Sequence, residues 1–472
     1  MGILSQEHLS LASTFALFGT PALGHQLMDS QVSESLEKLR QLFDHAPFPR
    51  IPLEESPKTN DNLLYKHNLV TPYYLKYQKV IDTQNKFILD AGCGSGFNAL
   101  TLAEANPGAT IIGIDISEES IKLAKARLEY HGFDSTQFYG LAIEDVPQLG
   151  IEFDYINCDE TLYLIPDPVA GLNVMRSVLK PNGILRLNLH STLQRRNFYR
   201  GQALFKLMGL MDEDSADSAV AAVIETMNAL KDDVKLKTTA WKAEWEKPEN
   251  SGQILANHLL VGDKGFTIPD LFALIETADL EFLSMVNWRH WDVTDLFQDP
   301  DNLPAIWAMS LEGASIAERL RLYELLHPVN RLLDCWCTHP DAEADFLPID
   351  EWTDADWQTA IIHLHPQIRH DRAKTDLLQT VINAKSFEIS KYVDLPTLGP
   401  VVLQSHVAAC LLPLWEAPQS FMTLVDRYLK LHTRDPITLE PITTEAAIAE
   451  VKRFLNQLHP FLYVLLEQPT HG

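Results

Sequence analysis

Between residues 87 and 190 the hydrophobic pattern keeps changing period. Short apolar runs that suit buried strands, at 87–91, 110–115, 137–141, 153–158 and 183–190, alternate with stretches near 97–105, 118–131 and 167–179 where apolar residues return every three or four positions. That alternation predicts an α/β fold, a parallel sheet with helices on both faces. Ser117 ahead of Glu118 and Glu119 reads as an N-cap with an acidic first turn. Lys180-Pro-Asn-Gly183 reads as a turn into the fifth strand.

The flanks follow other patterns. Residues 1–60 read as short amphipathic helices, with Leu36, Leu39 and Phe43 at helical spacing, followed by a connector carrying Pro47, Pro49, Pro52 and Pro57. Tyr65, Tyr73, Tyr74 and Tyr77 precede the first strand and are expected to pack against the sheet. Residues 191–265 look like a helical insert with apolar faces at 203–211 and 219–230. A further helix starts at 266–270, where Thr267 or Asp270 lies near its beginning and Pro269 in its first turn; 280–286 returns as a strand. From about 300 onward the pattern is mostly helical, up to a Leu-rich end at 461–466. The expected division is an N-terminal helical extension or lid over 1–79, a ligand-binding core over 80–195, an insert and end of the core capping the substrate over 196–300, and a mostly α-helical C-terminal domain over 301–472.

Composition narrows the classes. The chain has 472 residues, 46% hydrophobic and 22% charged, enough for two or three globular domains. No run approaches a membrane span. No Lys or Arg precedes the apolar patch at 9–18, and Glu7 stands where a signal peptide carries positive charge. With five cysteines, this predicts a cytoplasmic protein. A net charge of −26 argues against nucleic acid as a partner; the compact basic cluster Arg195-Arg196-Asn-Phe-Tyr-Arg200 reads as a solvated helix face.

Candidate chemistry centres on 87–97, where the first strand runs into Gly92, Gly94 and Gly96 and then a helix. Three missing Cβ atoms let the backbone turn sharply and approach a ligand. Asp115 closes the second strand 19 residues after Gly96, placed to accept hydrogen bonds from the ribose hydroxyls of an adenosine ligand. The loop is Gly-x-Gly-x-Gly rather than the Gly-x-Gly-x-x-Gly that seats a pyrophosphate, and Asp90 beside it would repel phosphate but suits a cation. S-adenosyl-L-methionine is such a ligand, with a sulfonium, an ammonium and no phosphate.

Asp90-Ala-Gly-Cys-Gly-Ser-Gly96, Gly113-Ile-Asp-Ile-Ser117, Pro166-Asp-Pro168 and Leu179-Lys-Pro-Asn-Gly183 together resemble the class I S-adenosylmethionine-dependent methyltransferases over about 80–195. With Pro47-Phe-Pro-Arg50 and Phe266-Thr-Ile-Pro269, the wider pattern resembles the methyltransferase domain attached to tetratricopeptide repeats in some bacterial proteins, although no repeats are present. The resemblance implies a Rossmann-like sheet and S-adenosyl-L-methionine as cofactor. It puts Asp90, Gly92 and Gly94 around the methionine part, with Cys93 a small side chain beneath, Asp115 on the ribose and Ile116 on the adenine. Where such enzymes carry an Asp for the adenine amino group this chain has Ala142, leaving Glu144 or Asp145 and the Ile143 backbone. Where related sequences have paired histidines it has Tyr163-Leu164. The C-terminal region resembles a regulatory region that follows some bacterial methyltransferase domains.

Methyl transfer needs positioning, and a general base only when the acceptor loses a proton. Asp159, Glu160, Tyr163 and His190 are the candidates. Cys335-Trp-Cys337-Thr-His339 invites a metal, but on a helix thiols two apart face different ways, so no metal site is expected there or at His363, His365 and His370. The expected function is a methyltransferase acting on a small-molecule or protein acceptor, with no nucleic acid or membrane involved and the oligomeric state open. The alternatives are a cofactor-binding module without turnover that recruits a partner through its C-terminal helices, and an NAD-type dehydrogenase, which the glycine spacing disfavours.

Overall fold

Strands form where apolar residues occupy both pleat positions, because helices cover both faces of the sheet. In the computed structural model, which describes residues 36–469 apart from 42, 46, 212–215, 248–249, 341–345 and 436, β1 (Phe87–Ala91), β2 (Thr110–Asp115), β3 (Gln137–Gly140), β4 (Phe153–Cys158) and β5 (Leu179–His190) pair in parallel. The stretch at 9–18 lies outside the described residues. Adding β6 (Glu281–Met285) and β7 (Leu332–Thr338) gives a seven-stranded sheet in the order β3-β2-β1-β4-β5-β7-β6, with β7 antiparallel to both neighbours. Strand order reverses at β1 and β4, which opens a crevice at their carboxyl ends.

Alternate residues along each strand go to opposite faces. Leu89, Ile112, Ile156 and Leu187 share a core with the helices Pro168–Ser177 and Ile268–Thr277. Ile88, Ile111, Tyr155, Ile184 and Trp336 share one with the helices Phe97–Ala105 and Glu118–Tyr130. Toward the crevice the second set of positions turns polar while staying buried: Asp90, Asn157, Arg186, Asn188 and Asp334. The Arg186 guanidinium ties them together. It donates twice to Asp334 (3.0 and 2.9 Å), to Asn157 Oδ1 (3.0 Å) and to His67 Nε2 (3.1 Å).

Around this core, the insert helices Thr192–Leu207, Ala216–Ala229 and Ser251–His258 close on their own apolar cluster, which includes Phe205, Val223, Met227 and Ile254. A further core runs from Trp352 to Leu466. It is mainly helical, with a small sheet formed by Ile361–Leu364, Gln419–Ser420 and Val464–Glu467. Among the described residues no helix is long and apolar enough to cross a membrane.

Several elements differ from the pattern-based expectation. Lys180–Gly183 is not a turn but the irregular start of β5: Leu179 pairs with Phe153, and the register shifts before Ile184 meets Tyr155. Residues 332–338 are a strand, not a helix, so the central sheet draws on chain beyond residue 300, where the C-terminal domain is expected to begin. Cys335 and Cys337 therefore share a face, with sulfurs 3.9 Å apart and both side chains fully buried. The Leu-rich end is likewise a strand; a short apolar run carries no period that separates the two structures. Of the tyrosines, Tyr73 does meet the sheet, donating to the Asp154 carbonyl (2.9 Å), but Tyr65 and Tyr74 turn toward the C-terminal region, donating to the carbonyls of Phe461 (3.2 Å) and Leu466 (2.9 Å).

Candidate active site

The glycine loop occupies the β1 end of the crevice, and all three glycines have φ between +51° and +82°. Each is required by a different neighbour. A Cβ on Gly92 would lie 2.2 Å from Thr161 Oγ1, one on Gly94 2.1 Å from the Phe48 carbonyl, and one on Gly96 2.6 Å from Ala124 Cα. All three thus admit protein rather than ligand. Gly94 lies under a strap, residues 47–53, and Gly96 under the helix Glu118–Tyr130. The strap is bound down by Ser95, whose N–H and Oγ donate to the carbonyls of Phe48 (2.8 Å) and Pro49 (2.7 Å). Arg127 donates to the carbonyls of Ser95 (3.0 Å), Pro52 (2.7 Å) and Ile51 (2.7 Å).

Between loop and strap lies a cavity of about 300 Å³. Gly92, Cys93, Gly94, Asp115, Ile116, Ile143 and Glu144 line it, with Ala142 and, from the chain ahead of the strap, Leu36, Leu39 and Phe43. Asp115 accepts from Gly94 N (2.9 Å) and Ser117 N (2.8 Å), which fixes both oxygens and leaves each a second lone pair toward the cavity. Asp90 and Gly96 stand behind the lining. Asp90 Oδ1 accepts from Asn157 (2.8 Å), while Oδ2 is buried without a hydrogen-bond partner, and burial pushes the carboxyl up to about 7. An apolar slot, the Asp115 carboxylate on its wall and an orphaned carboxylate oxygen behind the glycine loop fit a cationic adenosine ligand such as S-adenosyl-L-methionine.

A second cavity, about 500 Å³, adjoins the first: Phe43, Phe48, Glu160 and Leu164 border both. Of the candidate catalytic residues, Asp159 and Glu160 line the first, and Glu160, Tyr163 and His190 line the second. Burial would raise the Asp159 carboxyl, but Arg186, His67 and Lys66 overcome this and hold it well below the usual range. It is a fixed anion, tied to Asn188 and Asn98, and a poor proton acceptor. Glu160 sits at φ 55°, a strained setting for a non-glycine residue; Asn188 accepts its N–H (2.8 Å), and Arg331 grips its carboxylate through both Nη atoms. Tyr163 donates to Glu160 (3.2 Å) and stacks on the His190 ring at 3.7 Å.

Two residues that sequence reasoning missed complete this group. Asp263, whose side chain is fully buried, pairs with His190 Nδ1 at 2.7 Å and also accepts from Gln202 (2.8 Å) and Arg195 (3.0 Å). Arg331 donates to His190 Nε2 (3.2 Å), so Nδ1 carries the proton shared with Asp263. Burial lowers the His190 pKa despite Asp263, with Arg195 and Arg331 adding to the fall, so the imidazole is neutral at physiological pH. A neutral histidine oriented by a buried carboxylate is the arrangement of a general base. Asp263 and Arg331 lie 73 and 141 residues from His190, in segments without a motif. The only local signal is Val261-Gly-Asp-Lys-Gly265, an acidic residue between glycines.

Residues 82–253 match a family model described as a methyltransferase domain. An uncharacterized protein of Synechococcus sp. is 29% identical over 330 residues, covering 69% of this chain and 75% of that protein. The ubiquinone biosynthesis O-methyltransferase of Actinobacillus pleuropneumoniae is 36% identical over 135 residues, which are 27% of this chain and 55% of that enzyme, so the match spans about half of its length. Among solved structures, PKMT2 from Rickettsia typhi superposes with a TM-score of 0.54 at 17% identity, covering 85% of this chain and 75% of that one, and shares the fold. Residues 82–253, which supply the glycine loop and most of the crevice, thus match a methyltransferase domain.

Proposed function

We propose that the protein moves the methyl group of S-adenosyl-L-methionine to an acceptor held in the second cavity. The observation that carries this is the junction, where the side chains of Phe43, Phe48, Glu160 and Leu164 border both spaces. When bound, the donor supplies an activated methyl carbon whose bonding electrons stay on sulfur as the acceptor's lone pair forms the new bond. Asp90 draws the ammonium electrostatically from behind the glycine loop and Asp115 binds the ribose; Ile116 and Ile143 flank the adenine, and Glu144 stands at its edge. Gly92 and Cys93 keep the floor low. His190 Nε2, once it gives up its hydrogen bond from Arg331, receives any proton the acceptor loses, Asp263 stabilises the imidazolium, and Glu160 and Tyr163 position the group. A module without turnover has no use for a buried His–Asp pair beside the junction, so we favour the enzyme. All five cysteines are buried and unpaired, which suits a reducing compartment, and we place the protein in the cytoplasm.

Calorimetry with S-adenosylmethionine and S-adenosylhomocysteine tests the donor half, with micromolar binding expected; absence of binding by both ligands sinks the reading. Formation of S-adenosylhomocysteine with fractionated extract, lost in His190→Gln, tests the acceptor half.

A further inference from the structure

We propose that the acceptor is an anion: a small molecule with an apolar body and a carboxylate held by Arg50 and Lys242, its methylatable atom at the Glu160–His190 end. This rests on reading the second cavity as the acceptor site. That cavity reverses the sign of the protein around it. The chain carries 38 Lys and Arg against 64 Asp and Glu, yet the described residues lining this space include Arg50, Arg195, Lys242 and Arg331 against Glu160 alone. Arg331 is engaged with Glu160 and Arg195 with Asp263. Arg50 reaches Ser251 Oγ (3.1 Å) and, among the described residues, meets no carboxylate. Its stem crosses Gly252, where a Cβ would stand 3.6 Å from Arg50 Cδ. Lys242 lies 6.0 Å from the centre of the Trp245 ring, with Glu244 3.8 Å away and both charged side chains largely exposed, a pairing that binds weakly.

An unpaired guanidinium and a weakly paired ammonium beside an apolar cavity focus a positive potential into it, and a guanidinium matches a carboxylate through paired hydrogen bonds. Phe198, Trp245, Leu255 and Leu260 line the same space, so the body of the acceptor is apolar. Inside, Gln194 Oε1 and Arg195 Nε are buried without hydrogen-bond partners, leaving an acceptor and a donor for a polar substituent. Arg195 belongs to the basic cluster that reads from sequence as a solvated helix face; it is in fact 1% exposed and forms part of this wall.

The test uses full-length protein saturated with S-adenosylhomocysteine and three probes of one shape: biphenyl-4-carboxylate, its carboxamide and biphenyl-4-methylamine. The carboxylate is expected to bind at least about tenfold tighter than the amide, with an advantage that shrinks at high salt and disappears in R50Q/K242Q. Equal or tighter binding of the amide or amine, binding by none of the three, or a preference retained in the double variant overturns the proposal. Titration of S-adenosylhomocysteine in each variant comes first. Failure at that step defeats the donor-site reading, whereas donor binding without a carboxylate preference defeats the anion alone.

Discussion

Asp90 Oδ2 is buried with nothing to bond, and a carboxyl pushed up to about 7 is half protonated near neutrality. A cationic ligand binds the ionised form. Affinity for S-adenosylhomocysteine is therefore expected to rise as pH goes from about 6 to 8, by up to about tenfold per unit below the pKa, and to flatten above it. Calorimetry across that range checks this, with Asp90→Asn losing the dependence. His190 behaves oppositely with respect to charge: its lowered pKa keeps it neutral and competent at pH 7. The kcat/KM profile should fall only on acidification below the ordinary histidine value of about 6.5, and His190→Gln should cost about 10²–10⁴ in kcat for an acceptor that loses a proton. A profile with no such limb removes His190 from the proton path.

At the scale of elements, the strap of residues 47–53 belongs to the donor site, although the glycine loop it covers begins some forty residues later. Arg127 donates to two strap carbonyls and one loop carbonyl from the helix Glu118–Tyr130. Arg127→Ala should weaken S-adenosylhomocysteine binding about ten- to hundredfold, since hydrogen bonds to a charged group are worth about 1.5–3 kcal/mol each. Gly94→Ala should act similarly, its Cβ meeting the Phe48 carbonyl at 2.1 Å; binding unaltered in both variants means that the strap does not shape the pocket. β1, β2 and β4 have the bounds that their apolar runs predict, because a strand buried on both faces needs such a run. So does the helix Phe97–Ala105; the helix Ile268–Thr277 begins where Thr267 and Asp270 were expected to lie, the two together forming a capping box that the spacing alone did not specify. β7 was not legible, because Leu332–Thr338 becomes a strand through pairing with β5 and β6, both distant in sequence. Asp263 and Arg331 stayed hidden for the same reason: their roles come from tertiary neighbours rather than local spacing.

The molecule as a whole is held together through the N-terminal helices Asp61–His67 and Val70–Tyr77, which touch the sheet on one side and the C-terminal region on the other. His365 donates from Nε2 to Thr71 (3.0 Å), and Tyr74 accepts the Leu466 N–H (2.9 Å). Burial drives His365 down to about 3, and His459 and His258 to about 4. Unfolded, these residues take up protons near pH 6.5; folded, they do so only near pH 3–4. Between those limits the unfolded state binds more protons, so stability falls as pH is lowered, by up to about 1.4 kcal/mol per unit for each histidine. Thermal unfolding should show the melting temperature dropping from about pH 7 to 5, with a shallower slope in His365→Gln. A melting temperature independent of pH across that interval contradicts the burial of these rings.

The Phe48 carbonyl over Gly94 also bears on how the pocket is made during synthesis. The strap leaves the ribosome before its partners, and its anchor at Arg127 follows about eighty residues later, so the donor site stays open until the first two strands and the helix Glu118–Tyr130 have emerged. A fragment cut to residues 82–253, the span of the family match, would keep the glycine loop and the ribose carboxylate but lose the roof supplied by Leu36, Leu39, Phe43 and Phe48. The domain recognisable by its motifs is thus smaller than the unit that encloses the donor.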